Sequence, residues 1–521
     1  MGGGPMWAGI AAVYFLLRLN LLPIPFDRDE GFFGYGGQVL LRGGALYRDM
    51  VDHKPPLVFY LYSLILRVLP PTPLGVHVFL HAYNFLTTLA LYRLARRWVD
   101  RGPARSAALA YAVVSSAMAV QGFTASTEMF LLLPLTLAAW FSLSKSSSLS
   151  RRLAAGALAA VAFWIKSQAA PAAFFIGWGI LVAGFRAGGV RLAFRRGLGF
   201  LAGAAATTGL VLWPFCRAGL LADLGYWAFS YNRLYAQGAG FWSTSVPGTV
   251  RNLGRLSLEH PGVLVLAAIG LGAARDRQKI NTRWPAGFAL FSFLGVLPGY
   301  AFPHYLALLA PSLALVAGVG WKAVEGKWKG SSAGLRTAVL FGALAVVPGI
   351  FHSGYYFRWS GEETSLRVFD FNPFVEADRV ARYLKTKSAP GDRLFVVGSE
   401  PEVLLASELP SATRWVNMGP LLTSRVPDHP RFQRECLGDI DRSPPEWVVL
   451  FDSLISLPAD GGTDPAFLRE VRARLAASYR RVAVVPTELD GGRLIEVDPE
   501  GPLPPRSHLL IYRRADPPPG A

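Results

Sequence analysis

Apolar runs of about 18–20 residues recur through the first 355 positions of this chain, and each is long enough to cross the hydrocarbon core of a bilayer. Such runs satisfy their backbone polar groups only as helices. With 52% of the 521 residues hydrophobic and 17% charged, the chain is neither an ordinary soluble enzyme nor disordered. Two cysteines, Cys216 and Cys436, exclude a disulfide scaffold and a cysteine-rich metal cluster, and leave their own pairing open.

The charges divide along the chain. Residues 1–355 hold 31 Lys and Arg against 11 Asp and Glu, whereas residues 356–521 hold 21 against 24. The net charge of +17 therefore belongs to the apolar part. A nucleic-acid-binding domain gathers its excess in one soluble patch. Here it sits in short loops between apolar runs, which is a topology signal, and no nucleic-acid partner is expected.

Eleven spans are read, at about 6–23, 74–95, 104–121, 127–144, 152–166, 168–185, 195–214, 260–274, 285–300, 302–319 and 335–353. One alternate set of loops, running from Arg93 through Lys145, Arg186 and Arg275 to Arg336, carries 20 basic residues against three acids, Asp100, Asp276 and Glu325. By the positive-inside rule these loops are cytoplasmic. The same parity decides residues 56–70 (PLVFYLYSLILRVLP). A span there would put every later basic loop outside, so the segment is read as a helix lying in the outer interface. The first span lacks a basic leader and a small-residue cleavage site, and is not read as a cleaved signal.

Beyond 353 the chain is then outside. Residues 365–521 alternate strand-like runs (393–398, 446–451, 481–486, 508–513) with helix-like stretches (374–387, 465–481), and end in a frayed DPPPGA tail. The expected fold is a polytopic α-helical membrane part, 1–355, followed by a small extracytoplasmic α/β domain, 365–521. No repeat of 20–50 residues is found.

Acids are rare in the membrane part, yet five of its eleven crowd into positions 27–52: Asp27, Asp29, Glu30, Asp49 and Asp52. Arg28, Arg48, His53 and Lys54 sit among them. A solvated loop is the ordinary reading of such a mixture. Against it stand the density of mixed charge in the short outer loop 24–73, and the aromatic, glycine-rich GFFGYGGQVLLRGG after Glu30. A carboxylate at a membrane surface can take the proton of an acceptor hydroxyl. A nearby Lys or Arg can neutralise a departing phosphate. Asp29 and Lys54 supply both roles, which sugar transfer from a lipid phosphate needs.

Other groups fall on the outer side: Glu128 at the head of the 127–144 span, Lys166 at the end of 152–166, and His304 and Tyr305 at the head of 302–319. Arg217, Tyr226, Tyr231, Asn232, Arg233 and Tyr235 lie in the loop 215–259. Ionisable groups at membrane depth are costly and mark function, though less so at span ends. Snorkelling accounts equally well for Lys166, a hydrogen-bonded structural role accounts for His304 taken alone, and an interfacial belt matches the aromatic loop as well as a sugar platform does.

The stretch FDRDEGFFGYGGQVLLRGGALYRDMVDHKPPLVFYLYSLILRVLP resembles the first outer loop of GT-C membrane glycosyltransferases, in the bacterial branch near protein O-mannosyltransferases, aminoarabinose transferases and the transferases that decorate rhizobial lipopolysaccharide. The resemblance rests on Asp29-Glu30, on Gly44 to Asp49 with Tyr47, and on Lys54-Pro55-Pro56 ahead of an interfacial helix. TEMFLLLPL, WIKSQAAPA, FPHYLALLAPSLALVAG and EADRVARYLKTKSAPGDRLFVVG also look like family segments. It implies a polyprenyl-phosphate sugar donor, an inverting transfer on the outer side, and a lipid, glycan or protein acceptor. Asp29 is the implied base, with Glu30 supporting it or contacting the substrate. Lys54, with Arg48 or Lys166, is implied at the donor phosphate. Asp49, His53, Glu128, His304 and Tyr305 are the candidates for substrate contact. Some GT-C members use a divalent metal and others none. No compact ligand motif is present, and a site from Glu30, His53 and His304 stays open.

The C-terminal residues show no Gly-rich phosphate loop and no G-x-S-x-G. GSEPEVLL (398–405) reads as a helix cap made by Ser399 or Glu400. A polysaccharide ligase or polymerase of the same superfamily is an alternative that hydropathy does not separate, and a silent receptor or assembly protein is a further one that the intact motifs argue against. A transporter or flippase would place its polar groups at the bilayer midplane, often in repeated halves, which this chain lacks. Richness in Arg, Ala and Gly points to a GC-rich bacterial genome, hence the inner membrane, with the site on its periplasmic or outer side.

Overall fold

The computed structural model describes residues 4–143, 148–273, 283–328, 330–452, 455–457, 466–486, 494–496 and 508–515. Lys145, Arg275, Asp276, Arg277, Lys279, Lys329 and the DPPPGA tail lie outside the described residues. Each of the eleven expected runs contains a helix. Among the described residues, four helices are long and apolar enough by themselves to cross a membrane: Pro73–Ala95, Ser167–Arg217, Pro303–Glu325 and Ala333–Phe351. A further pair, Phe241–Glu259 with Pro261–Ala273, is bent by 108°.

The rod ending at Arg217 is two helices. Its path breaks at Gly188 and Gly189, the latter at φ +71°, where glycine alone is comfortable. The halves fold back on each other, with Gly184 against the Ala193 backbone and Gly197 against Leu181. The break lies between the two expected spans 168–185 and 195–214, at the Arg-rich loop.

The glycine-rich run after Glu30 forms the helix Arg28–Leu41, and the expected interfacial segment forms Leu57–Val68. The two helices pack together. Phe33 meets Phe59 with ring centroids 5.9 Å apart, and Gly37 lies against the Tyr62–Ser63 backbone. The other face, at helical spacing, turns to the C-terminal residues: Gly31 against Glu402, Gly34 against Leu405, and Gln38 donating to the Leu405 carbonyl at 2.9 Å. A helix with neighbours on both faces needs small residues where backbones approach, which accounts for the glycine content.

Residues beyond 369 build a five-stranded sheet in the order β1 (Leu394–Val397), β2 (Trp447–Phe451), β5 (His508–Arg514), β3 (Tyr479–Pro486), β4 (Ile495–Glu496). β1 and β2 are parallel, and the other pairings are antiparallel. β1 and β2 are buried along their whole length, as strands covered on both faces are. The four expected strands and both expected helices are present, as Phe374–Lys387 and Ala466–Ser478. The two-residue β4 carries no signal of its own in the sequence. The helix Glu402–Ser407 has Pro401 at its N-cap and no side-chain cap, so the cap expected from Ser399 or Glu400 does not form. Glu400 instead pairs with Arg28 at 3.0 Å.

This unit packs against segments of the N-terminal helical part. Arg28 also donates to the Ser399 carbonyl, Val51 N to the Arg414 carbonyl at 3.1 Å, and Tyr226 to Asp428 at 3.1 Å. Trp227, Trp415 and Phe432 form one aromatic cluster across the junction. Cys216 is exposed and Cys436 buried, and both are free.

Candidate active site

The site starts from a helix N-terminus. Asp27 caps Arg28–Leu41 in a capping box: its carboxylate accepts from Glu30 N at 2.8 Å, and Glu30 accepts from Asp27 N at 3.1 Å. This fixes Asp29 on the first turn, where a carboxylate gains from the helix dipole. Asp29 keeps 23% of its side chain exposed into a cavity of ≈ 320 Å³, which His53, Lys54, His304 and Tyr305 also line. Its Oδ1 lies 3.9 Å from Lys54 Nζ and its Oδ2 3.9 Å from His304 Nε2.

Lys54 is held by the motif upstream of it. Tyr47 adopts φ +67°, and its hydroxyl donates to the Lys54 carbonyl at 2.8 Å. Asp49 accepts from Ala45 N at 2.7 Å and closes the turn. His53 completes the surroundings: its Nε2 is 3.1 Å from Lys54 Nζ and its Nδ1 is 3.1 Å from Asp52.

Three residues far apart in sequence meet beside Asp29. Glu128 is engaged by the Lys166 ammonium and accepts from the Thr127 hydroxyl at 2.7 Å. His304 Nε2 lies 3.7 Å from Glu128, and His304 Nδ1 lies 3.3 Å from the Gln121 side-chain oxygen. Lys166 stands 4.4 Å over the Tyr305 ring. A second chamber of ≈ 270 Å³ adjoins the first through Lys54, His53, Tyr235 and Tyr305, and adds Lys166, Asn232 and Arg233 to its walls.

Charge sets the protonation states. Burial pushes the Asp29 carboxyl up, but Lys54, then His304 and Lys166, outweigh it and hold Asp29 below its ordinary value, so it is ionised. Burial works against the Lys54 ammonium, but Asp29 and Asp52 raise it above the usual lysine range. Burial, then Lys54, lowers His53. Burial, with the charges of Glu30 and Asp29, pushes Asp27 well up.

The sequence candidates divide. Asp29, His53, Lys54, Lys166, Glu128, His304 and Tyr305 come together. Glu30 turns away from the cavity: it is 1% exposed, and its carboxylate takes His77 Nε2 at 2.9 Å, Ala125 N at 2.7 Å and the Asp27 amide. Arg48 pairs with Asp49 at 2.8 Å, and both line a separate surface cleft beside Arg414. Gln121, His77, Phe302 and Asn417 were not singled out from sequence. Gln121 and His77 carried a signal, as polar residues inside apolar runs. Asn417 carried none. Among the described residues no group of three or more His, Cys, Asp or Glu side chains could hold a metal ion. Glu128 is taken by Lys166 and Thr127, and Glu30 meets His77 rather than His53 or His304, so Glu30, His53 and His304 do not come together as a ligand set.

Residues 53–211, which include Lys54, Glu128 and Lys166, match the family model described as dolichyl-phosphate-mannose-protein mannosyltransferase. The crystal structure of ArnT from Cupriavidus metallidurans bound to undecaprenyl phosphate matches over 98% of each chain, with TM-score 0.64 and 14% identity. This chain has the GT-C fold. A second GT-C structure, the apo oligosaccharyltransferase of Archaeoglobus fulgidus, matches 97% of this chain and 75% of its own, with TM-score 0.51 and 12% identity. Curated protein sequences give no match.

Proposed function

We propose that this chain is a membrane glycosyltransferase that moves a sugar from a polyprenyl-phosphate donor to an acceptor hydroxyl on the outer face of the membrane, with inversion. The observation that carries this reading is one ionised carboxylate and one ammonium, Asp29 and Lys54, 3.9 Å apart on a cavity wall, with a cationic chamber beyond the ammonium. Solved GT-C structures with bound undecaprenyl phosphate and dolichol phosphate support the donor class.

In the proposed step the acceptor oxygen attacks the anomeric carbon while Asp29 takes the hydroxyl proton. The bond from that carbon to the phosphate oxygen breaks, and the leaving polyprenyl phosphate keeps the electron pair. Lys54 and Lys166 offset the charge it gains. Glu30 acts as a positioning residue, holding the helix that carries Asp29. Arg48, paired at the surface, takes no part at the phosphate. Residues 1–355 form the membrane domain in this reading, and 365–521 an outer domain of a bacterial plasma-membrane enzyme. The acceptor is a lipid, glycan or protein.

The test is purified protein in nanodiscs with radiolabelled polyprenyl-phosphate sugars, wild type beside Asp29→Asn. Label passing to acceptor or water in the wild type alone supports the reading. Equal turnover removes Asp29 as base, and failure to bind any donor turns the reading toward a transporter.

A further inference from the structure

A third chamber, of ≈ 370 Å³, lies between the membrane part and the α/β unit. It opens onto the Asp29 cavity through the shared walls Arg28, His53, Tyr235, Phe302 and Asn417. A row of rings in mutual contact runs along it, with Tyr300, Phe302 and His304 stacked on one another. From Tyr231 the centroids step 6.0 Å to His53, 4.7 Å to Tyr235, 4.8 Å to Tyr300, 6.0 Å to Phe302 and 5.6 Å to His304. His304 then stands 3.9 Å from Asp29.

The backbone that presents the last rings is strained and pinned. Gly299 is at φ +97° and Ala301, which has a side chain, at φ +53°. Ser245 bonds the Gly299 carbonyl at 2.5 Å, and Asn252 bonds the Ala301 carbonyl at 2.7 Å. Such a conformation persists only where its surroundings over-determine it. Here the result is that Tyr300 and Phe302 face the chamber, and Phe302 keeps 42% of its surface exposed. The α/β unit contributes the polar Asn417, Thr423 and Arg425 beside the apolar Val426 and Ile455, and Arg425 donates to the Gly238 carbonyl at 3.1 Å. Among the described residues no carboxylate lines this chamber.

We infer that this chamber binds the acceptor, and that the acceptor is a saccharide, neutral or anionic, one of whose ring faces packs against the exposed Phe302. A pyranose is amphipathic. Its C–H face packs on an aromatic ring, and its equatorial hydroxyls need donors and acceptors at the edge, which Asn417, Thr423 and Arg425 supply. The row ends at His304 beside Asp29, so a bound saccharide delivers one hydroxyl to the base. This inference rests on the glycosyltransferase reading and adds a role for the α/β unit, as the roof of the acceptor site.

The experiment presents the full chain in nanodiscs to an array of immobilised bacterial-envelope oligosaccharides, free and lipid-linked, with a peptide array beside it. Wild type is expected to retain a subset of saccharides and no peptides. Phe302→Ala and Asn417→Ala are expected to bind these about tenfold more weakly, the loss of one stacked or hydrogen-bonded contact. Undecaprenyl phosphate binding, measured on the same proteins, stays unchanged and shows an intact fold and donor chamber. If Phe302→Ala loses that binding too, the exposed Arg425→Gln is read in its place. Retention of lipid-linked saccharides alone identifies a glycolipid acceptor. Retention of peptides alone, no retention of any saccharide, or variants that bind like the wild type overturns the inference. A wild type that binds saccharides but turns over no polyprenyl-phosphate sugar instead overturns the glycosyltransferase reading.

Discussion

Asp29 Oδ1 stands 3.9 Å from Lys54 Nζ, close enough for each charge to stabilise the other and too far for a tight hydrogen-bonded pair. That gap matters for the proposed reaction, because a base locked to its counter-ion cannot accept a proton. Asp29→Asn keeps the volume and removes the basicity. It is expected to lower turnover by about 10²–10⁴-fold, the range for general-base catalysis, while undecaprenyl phosphate binding is kept. Turnover at the wild-type level would dismiss Asp29 as the base.

The pair also fixes a pH profile. Lys54, His304 and Lys166 overcome burial and hold Asp29 below 3.8, so the base stays ionised as pH falls from neutrality through that value. The acid limb of kcat/KM, which reports the free enzyme, is therefore expected below 3.8. Lys54→Met removes the leading charge that lowers Asp29 and leaves burial, which raises it. The limb then moves toward neutrality. Profiles of the two proteins that coincide would contradict the coupling.

Glu128 and Lys166 form a buried pair beside His304, at 1% and 8% side-chain exposure. Removing one partner leaves an uncompensated buried charge, which costs about 3–5 kcal/mol. Glu128→Gln and Lys166→Met are each expected to lower the melting temperature, and the double variant to recover part of the loss. A strictly additive double-mutant cycle, read by thermal unfolding in detergent, would count against a coupled pair.

How much of this was legible in the sequence depends on which separation matters. Asp29 and Lys54 lie within one loop, and their charge density and motif spacing single them out as candidates. The strands of the α/β unit were visible because their apolar runs are short and bounded by turn residues. Glu128, Lys166 and His304 were found by their side of the membrane, but their meeting is a property of helix packing. Glu30 and Arg48 stay out of the cavity for one reason: adjacency in sequence does not set direction. On a helix, Glu30 points about 100° away from Asp29, which takes it from the cavity to His77. Arg48 found a nearer partner in Asp49. The contact of Arg28 with Glu400 joins residues more than 370 positions apart, and no local pattern announces it.

The interface that supports Asp29 is tested at Gly31. A Cβ there would run into the backbone of Glu402, which cannot swing aside as a side chain does. Gly31→Ala is expected to cost about 1–3 kcal/mol as overpacking, and to lower transfer by shifting the first turn of the Asp29 helix. Gly43, with open space around its Cβ position, is a poor control because its φ is +82°. Gly254, open and helical, is the control, and Gly254→Ala is expected to leave transfer unchanged and to hold or slightly raise the melting temperature, as alanine is the better helix former. Equal effects at the two positions would mean that the α/β contact does not hold the helix.

The neighbouring acids Asp29 and Glu30 are expected to fail in opposite ways. Glu30 collects three donors, from His77, Ala125 and Asp27, and these tie the Asp29 helix to the Pro73–Ala95 helix and to the segment leading into Glu128. Glu30→Ala orphans those buried donors, each worth about 1–3 kcal/mol when unsatisfied. The melting temperature should therefore drop, and activity should fall with it. Glu30→Gln keeps an acceptor for two of the donors and should restore most of both. Asp29→Asn should leave the melting temperature where it is and remove activity alone. A stable, inactive Glu30→Gln beside an active Asp29→Asn would exchange the roles of the two residues and place the base on Glu30.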